Sequence, residues 1–284
     1  MTLAGFDLGA YLRRLSYDGP REPSLAVLGA IVGAHAAAIP YENINVLLKR
    51  GVKLDLASLQ HKLVDGRRGG YCFEQNTLLE AGLNALGFAV TPLVGRVVRG
   101  MPDPTEVGRN HKILRVELPE GPYLADVGFG SLTPTTPLGF HPEKEQATPH
   151  EPFRLMPHGD QLMLQARLGD MWDSLYRFTL KPAPAIDYEI GNWFTSTHPA
   201  SPFIANLIVA RPVAGGRTTV FNRLFTIRDR DNRTTRRTLG TVGDYRDVLV
   251  GEFGLALDDD ELAAIAAAIV ASHGADEQVH PAFA

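Results

Sequence analysis

The one cysteine of the chain, Cys72, lies in the segment RGGYCFEQN, residues 68–76. Two glycines precede it and apolar residues with helical spacing follow it, so Cys72 is predicted to be the first or second residue of a helix that ends before Gly87. Free N–H groups and the helix dipole favour an anion at such a position, and a thiol there loses its proton more easily. The thiolate is a nucleophile, whereas a free cysteine elsewhere is most often a small buried apolar residue.

A histidine and an aspartate follow on two segments with β-strand character. His111 begins the run HKILRVEL, and Asp126 lies within YLADVGFG, residues 123–130. The prolines and the glycine between the two runs predict a hairpin turn. A cysteine at a helix start followed by a histidine and an aspartate on neighbouring strands is the order of a Cys-His-Asp triad. In such a triad the histidine takes the thiol proton, and the aspartate fixes the imidazole tautomer and stabilises the imidazolium.

The register of that hairpin decides whether the histidine and the aspartate meet. A strict hairpin centred just after Glu120 leaves Asp126 four residues, roughly 13 Å, from the position opposite His111. Direct contact requires a bulge or a turn centred nearer Pro119. The prolines of the turn lack an N–H and are able to disrupt regular pairing, so both registers stay open.

These segments, in this order, resemble the arylamine N-acetyltransferase family. The resemblance covers nearly the whole chain and includes four further segments: IPYENI at 39–44, NWF at 192–194, SPF at 201–203 and FNRL at 221–224. Residue by residue, the catalytic triad of the family falls on Cys72, His111 and Asp126.

The resemblance implies an α+β fold of three parts in a cysteine-protease-like arrangement of Cys, His and Asp. Residues 1–88 form a helical bundle that carries the cysteine, residues 89–190 an antiparallel β-barrel that carries the histidine and the aspartate, and residues 191–284 an α/β lid. The chain's own patterns agree, because helical spacing gives way near residue 89 to short alternating strands broken by proline and glycine. A length of 284 residues suits two or three small domains.

The resemblance also implies the reaction and its substrates. Acetyl-coenzyme A is the expected acyl donor, and arylamines and arylhydrazines are the expected acceptors, in a two-step reaction through an acetyl-cysteine. Aromatic side chains near the triad are expected to line a flat pocket, and Gly130 belongs to a glycine-rich turn that would let the backbone approach coenzyme A. The predicted substrate-binding residues are Tyr41, Tyr71, Phe129, Gly130 and Phe203.

Arg68 stands directly before the glycine turn. An arginine at such a place is more often a structural anchor than a substrate ligand, and Glu42 is its predicted ion-pair partner.

Composition argues against several classes of protein. A net charge of −4 does not indicate the excess of basic residues that binding to nucleic acid or to an anionic membrane surface requires. The longest apolar stretch, residues 25–39, is too short to span a bilayer, and the first twenty residues do not have the pattern of a signal peptide. A single cysteine forms no intramolecular disulfide, so a cytoplasmic location is expected. The histidines lack metal-ligand spacing, and no metal site is predicted.

Other functions remain compatible with the same residues. A cysteine hydrolase or a transglutaminase-like enzyme shares the order Cys-His-Asp and would use water or a protein amine as the acceptor. An amide synthase that releases a macrolactam is a close variant of the resembled family. A binding module that has kept the scaffold without the activity is the third alternative, and an intact triad argues against it.

Overall fold

The computed structural model of the protein describes residues 4–102 and 106–273. Its α-helices are α1 Leu8–Arg14, α2 Leu25–Ala38, α3 Ile44–Leu47, α4 Leu56–Leu59, α5 Cys72–Ala85, α6 Ala185–Thr197, α7 Val242–Tyr245 and α8 Asp259–His273. π-Helical segments Gln60–Asp65 and Arg246–Glu252 continue α4 and α7, and 3₁₀ turns lie at Gly130–Leu132 and Pro202–Ile204.

The strands form two antiparallel sheets, whose strands are β1 Tyr41–Glu42, β2 Ala89–Val97, β3 His111–Leu118, β4 Gly121–Ala125, β5 Leu138–Gly139, β6 Phe153–His158, β7 Gln161–Leu168, β8 Met171–Phe178, β9 Ile208–Val213, β10 Gly216–Phe221, β11 Leu224–Asp229 and β12 Thr234–Thr238. The larger sheet has the order β5-β4-β3-β2-β8-β7-β6, and the smaller has the order β1-β9-β10-β11-β12.

The seven-stranded sheet curls into a nearly closed barrel. The segment that follows the edge strand β5 contacts the other edge strand, β6, through two isolated bridges, from Pro142 to Leu155 and from Gln146 to Phe153. Fully buried apolar side chains from several of its strands fill the interior, among them Leu93, Leu164 and Tyr176. The predicted α+β class, with a helical N-terminal part and a central antiparallel barrel, is confirmed.

The smaller sheet joins distant parts of the chain. Strand β1 pairs with β9, so that Tyr41 is the partner of Ala210 and Glu42 that of Val209. Strand β1, which lies between α2 and α3 in the sequence, thus forms the edge of this sheet. The other four strands come from the last third of the chain. This pairing brings Tyr41 next to the strand that follows Phe203.

Helix α5 begins and ends where the sequence predicts. Cys72 is its first residue, Leu86 caps it, and Gly87 follows at a φ of +89°, a left-handed conformation that favours glycine. Leu78, Leu79 and Leu83 on this helix are fully buried in the N-terminal core.

That same core contains side chains from strand β3. Leu114 and Val116 pack in one cluster with Leu78 and Leu79, so the helix that carries the cysteine and the strand that carries His111 share a single core. Burying each such side chain contributes about 1.5–3 kcal/mol. The relative position of cysteine and histidine is therefore determined by close-packed residues.

The limits of the three parts stay a prediction. The expected division near residue 88 falls between α5 and β2, and the one near residue 190 falls inside helix α6. Residues 274–284 of the expected lid lie outside the described part of the chain.

Candidate active site

A close approach of backbones sets the start of helix α5. A Cβ on Gly69 would overlap the carbonyl oxygen of Pro40, so only glycine fits where the turn passes β1. The Glu74 carboxylate accepts from the Tyr71 N–H at 3.1 Å and thereby satisfies a donor at the helix start. Cys72 is held at this end with 5% of its surface exposed.

Arg68 anchors the same turn. Its Nη2 donates to Glu42 Oε1 at 3.1 Å, and Nη1 contacts Glu261 of α8 at 3.2 Å. The predicted partnership of Arg68 with Glu42 is confirmed. The arginine ties the glycine turn to β1 and to the last described helix, and it is absent from the lining of the cavity described below.

The hairpin between β3 and β4 has a register that brings His111 and Asp126 together. Leu118 pairs with Gly121, so the turn is centred between Pro119 and Glu120, one residue pair earlier than a strict hairpin centred after Glu120. The chain leaves β4 one residue before Asp126, and the aspartate reaches the histidine diagonally across the sheet face. His111 Nε2 lies 2.7 Å from Asp126 Oδ2.

Asp126 is fully buried, and four hydrogen bonds hold it. His111 and the Tyr176 hydroxyl bond Oδ2, the latter at 2.9 Å. Asn76 Nδ2 and the backbone N–H of Gly128 bond Oδ1 at 2.9 and 2.8 Å. Because both oxygens are saturated with donors, the carboxylate has one orientation and stays ionised.

The charges of the two residues support each other. Burial raises the pKa of Asp126, but the charge of His111 and hydrogen bonds from His111, Asn76 and Gly128 bring it below its ordinary value. Burial lowers the pKa of His111, but the charge of Asp126 and hydrogen bonds with Asp126 and Cys72 raise it to about 10. The structure thus favours an imidazolium beside the thiol.

His111 bridges the aspartate and the cysteine. Its Nε2 is taken by Asp126, so Nδ1 is the nitrogen that remains for its hydrogen bond with Cys72. The sulfur lies 3.6 Å from the carbonyl oxygen of Asn110. Across from it, a Cβ on Gly128 would lie 2.7 Å from the Cys72 Cα, so the loop after Asp126 approaches the helix start only because this residue is glycine.

Asn76 and Tyr176 are functional residues that sequence reasoning missed. Asn76 lies one helical turn after Cys72, a spacing that places both on one helix face. Besides Asp126, Asn76 bonds the carbonyl of Lys112 at 2.7 Å and the N–H of Val127 at 3.0 Å, and it joins α5 to β3 and to the segment that follows β4. The spacing was a usable signal for Asn76, whereas nothing in the sequence near Tyr176 links it to Asp126.

A cavity of about 330 Å³ opens above the cysteine. Cys72 and His111 lie in its wall together with four of the five predicted substrate-binding residues, Tyr41, Phe129, Gly130 and Phe203. The Phe129 ring stands edge-on to the His111 ring, with centroids 5.4 Å apart. The last third of the chain closes the other side with residues that include Phe194, Ser201, Pro202, Ile208, Val209 and Val220.

The fifth predicted substrate-binding residue, Tyr71, does not line this cavity. It is fully buried, its hydroxyl donates to the Asn192 side chain, and its ring packs edge-on against Phe73 and Phe203. Tyr71 points away because the helix start turns its side chain toward α6. Its ring packs against Phe203, which does line the cavity.

Within residues 4–102 and 106–273, no group of three or more His, Cys, Asp or Glu side chains has the arrangement of a metal site. The helices of these same ranges include none that is long and apolar enough to cross a membrane.

The chain is similar in sequence and in structure to known N-acetyltransferases. Residues 24–262 match the family model described as N-acetyltransferase. The chain is 42% identical over 257 residues to an arylamine N-acetyltransferase of Mycolicibacterium smegmatis, covering 89% of this chain and 93% of the relative. It is 39% identical over 269 residues to an arylamine N-acetyltransferase of Escherichia coli, covering 92% and 95%. The solved structure of Mycobacterium marinum arylamine N-acetyltransferase in complex with CoA matches with a TM-score of 0.88 at 39% identity, covering 92% of this chain and 99% of that one.

Proposed function

This chain belongs to the arylamine N-acetyltransferase family, and from that membership we propose that it transfers an acetyl group from acetyl-coenzyme A to the nitrogen of aromatic amines and hydrazines. The observation that carries the proposal is the hydrogen-bonded series from Cys72 through His111 to the buried Asp126, with Cys72 and His111 in the wall of a cavity. Cys72 is the nucleophile, His111 the acid and base, and Asp126 the group that orients and charges the histidine.

The first half of the reaction loads the cysteine. The Cys72 thiolate forms a bond to the thioester carbonyl carbon, and the carbonyl oxygen gains the negative charge. The N–H groups at the start of α5 lack helical partners and are the proposed oxyanion donors. When the carbon–sulfur bond to coenzyme A breaks, the leaving thiolate takes the proton from His111. The products are acetyl-Cys72, coenzyme A and a neutral imidazole.

The second half uses that neutral imidazole as a base. Part of what raises the pKa of His111 is the charge of Cys72 and the hydrogen bond with it. Acetylation removes both, so the pKa of His111 falls when the thioester forms. The amine nitrogen then attacks the acetyl carbon and loses its proton to His111, and the thiolate is released with the amide product.

The cavity is the proposed acceptor site. Tyr41, Phe129 and Phe203 offer flat apolar surface to an aromatic ring, and Gly130 lets the backbone approach the coenzyme A chain. Tyr71 acts indirectly by supporting Phe203. Residues between Phe194 and Val220 line the cavity and are proposed to limit the access of water to acetyl-Cys72.

We place the reaction in the cytoplasm. A lone thiol nucleophile requires reducing surroundings to stay reactive, which the cytosol provides. A net charge of −4 favours small-molecule substrates over nucleic acid or an anionic membrane as partners.

The experiment that tests the proposed function is intact mass spectrometry of the protein mixed with acetyl-coenzyme A and no acceptor. One acetyl group should appear on Cys72, and it should disappear with formation of an N-acetyl product when an arylamine or an arylhydrazine is added. The Cys72→Ala variant should show neither event. Ready hydrolysis of esters or peptides without any retained acetyl group would favour a cysteine hydrolase instead.

A further inference from the structure

A second pocket lies beside the start of helix α5, and it shares no lining residue with the cavity above Cys72. Its volume is about 320 Å³. Among the residues that the structure describes, one carboxylate, that of Glu74, and four permanent cations stand in its wall. The cations are Arg50, Lys53, Lys62 and Arg68, and we call the site that they form the basic pocket.

The sequence concentrates positive charge in this region. Residues 49–68 contain six lysines and arginines and two aspartates, whereas the whole chain has a net charge of −4. The connection between α3 and α4 contributes Lys53, and the π-helical segment Gln60–Asp65 contributes His61 and Lys62. Because like charges repel at such short range, this gathering of cations favours a bound anion between them.

Carboxylates at the base of the basic pocket neutralise part of its charge. Lys62 Nζ lies 2.7 Å from Glu74 Oε1. Arg68 uses its two terminal nitrogens for Glu42 and Glu261. The arginine is 9% exposed, and its buried Nε has no hydrogen-bond partner among the described residues. A buried donor left unpaired is costly, so the residue that anchors the glycine turn would gain from an acceptor bound beside it.

Two basic side chains at the rim of the pocket have no such carboxylate. Within residues 4–102 and 106–273, the side chains of Lys53 and His61 form no hydrogen bond and no ion pair. Both residues are exposed. They are therefore able to turn toward a ligand without giving up an existing bond.

We propose that the basic pocket binds the phosphate group of a small molecule. A phosphate has several oxygens that accept charge-assisted hydrogen bonds from ammonium and guanidinium groups, and its double charge suits several cations better than one carboxylate does. A volume of about 320 Å³ falls at the lower end of small-molecule sites and leaves space for an organic group beside the phosphate. This site is separate from the one proposed for acetyl transfer.

Isothermal titration calorimetry with inorganic phosphate tests the site, with acetate as the singly charged reference. We expect one phosphate per chain and weaker binding of acetate. In Lys53→Gln the Kd for phosphate should rise at least about fivefold, because a charge-assisted contact is lost. The matched control is Lys49→Gln, which removes a nearby exposed lysine that does not line the pocket. Its Kd should equal that of the wild type, and an equal rise in both variants would overturn the proposal.

A second rim variant repeats the test on the π-helical segment. His61→Ala removes a donor and should weaken phosphate binding by a similar factor. Both rim residues are exposed, so the variants should keep the circular dichroism and the unfolding midpoint of the wild type. Phosphate that fails to bind the wild-type protein, or a Kd that is unchanged in both Lys53→Gln and His61→Ala, would overturn the proposal.

Kinetics with acetyl-coenzyme A distinguish the basic pocket from the donor site, because the donor also carries phosphates. We expect Lys53→Gln and His61→Ala to keep the wild-type kcat and the wild-type KM for the donor. A raised KM in these variants and not in Lys49→Gln would assign the pocket to donor phosphate, against the proposal. Phosphate binding that is lost in Arg99→Gln, which alters the cavity above Cys72, would place the anion in that cavity and would equally overturn it. The calorimetry requires no turnover, so its result is independent of the proposed acetyl transfer.

Discussion

Two buried histidines lie beside helix α5, and the structure holds them in opposite charge states. His35 is 0% exposed and His111 is 1% exposed, so burial does not distinguish them. The pKa of His35 is lowered to about 4, whereas that of His111 is raised to about 10. The difference comes from the partners that the helix and its neighbours supply.

His35 has only neutral partners. Its Nδ1 lies 2.8 Å from the Tyr11 hydroxyl, and its Nε2 lies 2.7 Å from Gln75 Oε1. Gln75 donates its amide hydrogens to the carbonyls of Ile39 and Pro40, so its oxygen must accept from His35. The histidine is therefore the neutral Nε2–H tautomer. Burial is the main cause of its lowered pKa.

His111 has a carboxylate in place of the amide. The charge and hydrogen bond of Asp126, with a further contribution from Cys72, outweigh the burial penalty and favour a ring protonated on both nitrogens. Gln75 and Asn76, neighbours on α5, serve the two sites separately, because Gln75 bonds His35 and Asn76 bonds Asp126. The charges of Asp126 and Cys72 thus distinguish His111 from His35, whose hydrogen-bond partners are neutral.

The largest expected effect is on turnover, and it comes from replacing the charged partner of His111 with a neutral amide like the one that His35 has. Asp126→Asn keeps the shape but gives His111 a neutral amide partner. The comparable change in a serine protease triad costs about 10⁴-fold in turnover, so we expect kcat for arylamine acetylation to fall at least about 100-fold. Steady-state kinetics with acetyl-coenzyme A measures this.

The fold should survive that substitution, because the amide accepts and donates hydrogen bonds. Circular dichroism and the unfolding midpoint serve as the control. Near-normal turnover in a folded Asp126→Asn enzyme would remove Asp126 from the triad.

The next effect is on stability at acid pH. The pKa of His35 is lower in the folded state than its ordinary 6.5, so the unfolded chain binds the proton more readily. The stability that the neutral histidine contributes is complete above pH 6.5 and is lost as the pH falls toward 4. Between pH 6.5 and 5 this loss amounts to about 2 kcal/mol.

Urea unfolding of the wild type and of His35→Gln at both pH values isolates that loss. The variant should be less stable at pH 6.5, and its stability should decrease less on acidification. His111 has the opposite sign, since its raised pKa contributes stability below pH 6.5 that disappears as the pH rises toward 10. Equal slopes for wild type and His35→Gln would contradict the neutral state of His35.

The smallest expected effect on turnover distinguishes the neighbouring amides Gln75 and Asn76. Gln75→Ala and Asn76→Ala each remove three buried hydrogen bonds, so we expect both to lower the free energy of unfolding by about 2–3 kcal/mol. Of the two amides, only Asn76 bonds Asp126, so only Asn76→Ala should reduce kcat, by roughly tenfold. An equal loss of kcat in both variants would mean that general stability, and not the orientation of Asp126, determines turnover.

Local patterns predicted the parts of the site that depend on neighbouring residues in the chain. The helix start at Cys72 follows from the apolar spacing and the glycine turn, and the strands that carry His111 and Asp126 follow from their composition. The contact of Arg68 with Glu42 was also predicted, because an arginine before a glycine turn is more often a structural anchor than a substrate ligand.

Long-range pairings were beyond those patterns. The hairpin register depends on the two residues that occupy the turn, and the prolines there gave no preference. The pairing of β1 with β9 joins residues more than 160 positions apart. Tyr176 meets Asp126 only through the closure of the barrel, and the side chain of Tyr71 turns toward Asn192 because of α6, which no local spacing shows.

The protonation of the two histidines tests the central claim most directly. Nitrogen-15 NMR of the imidazole rings at pH 7.5, assigned with His35→Gln and His111→Gln, reports which ring nitrogens carry hydrogen. We expect two protonated nitrogens on His111 and one, Nε2, on His35, with His111 becoming neutral in Asp126→Asn. A neutral His111 in the wild-type enzyme would contradict the charge difference, and with it the proposal that Asp126 keeps an imidazolium beside Cys72.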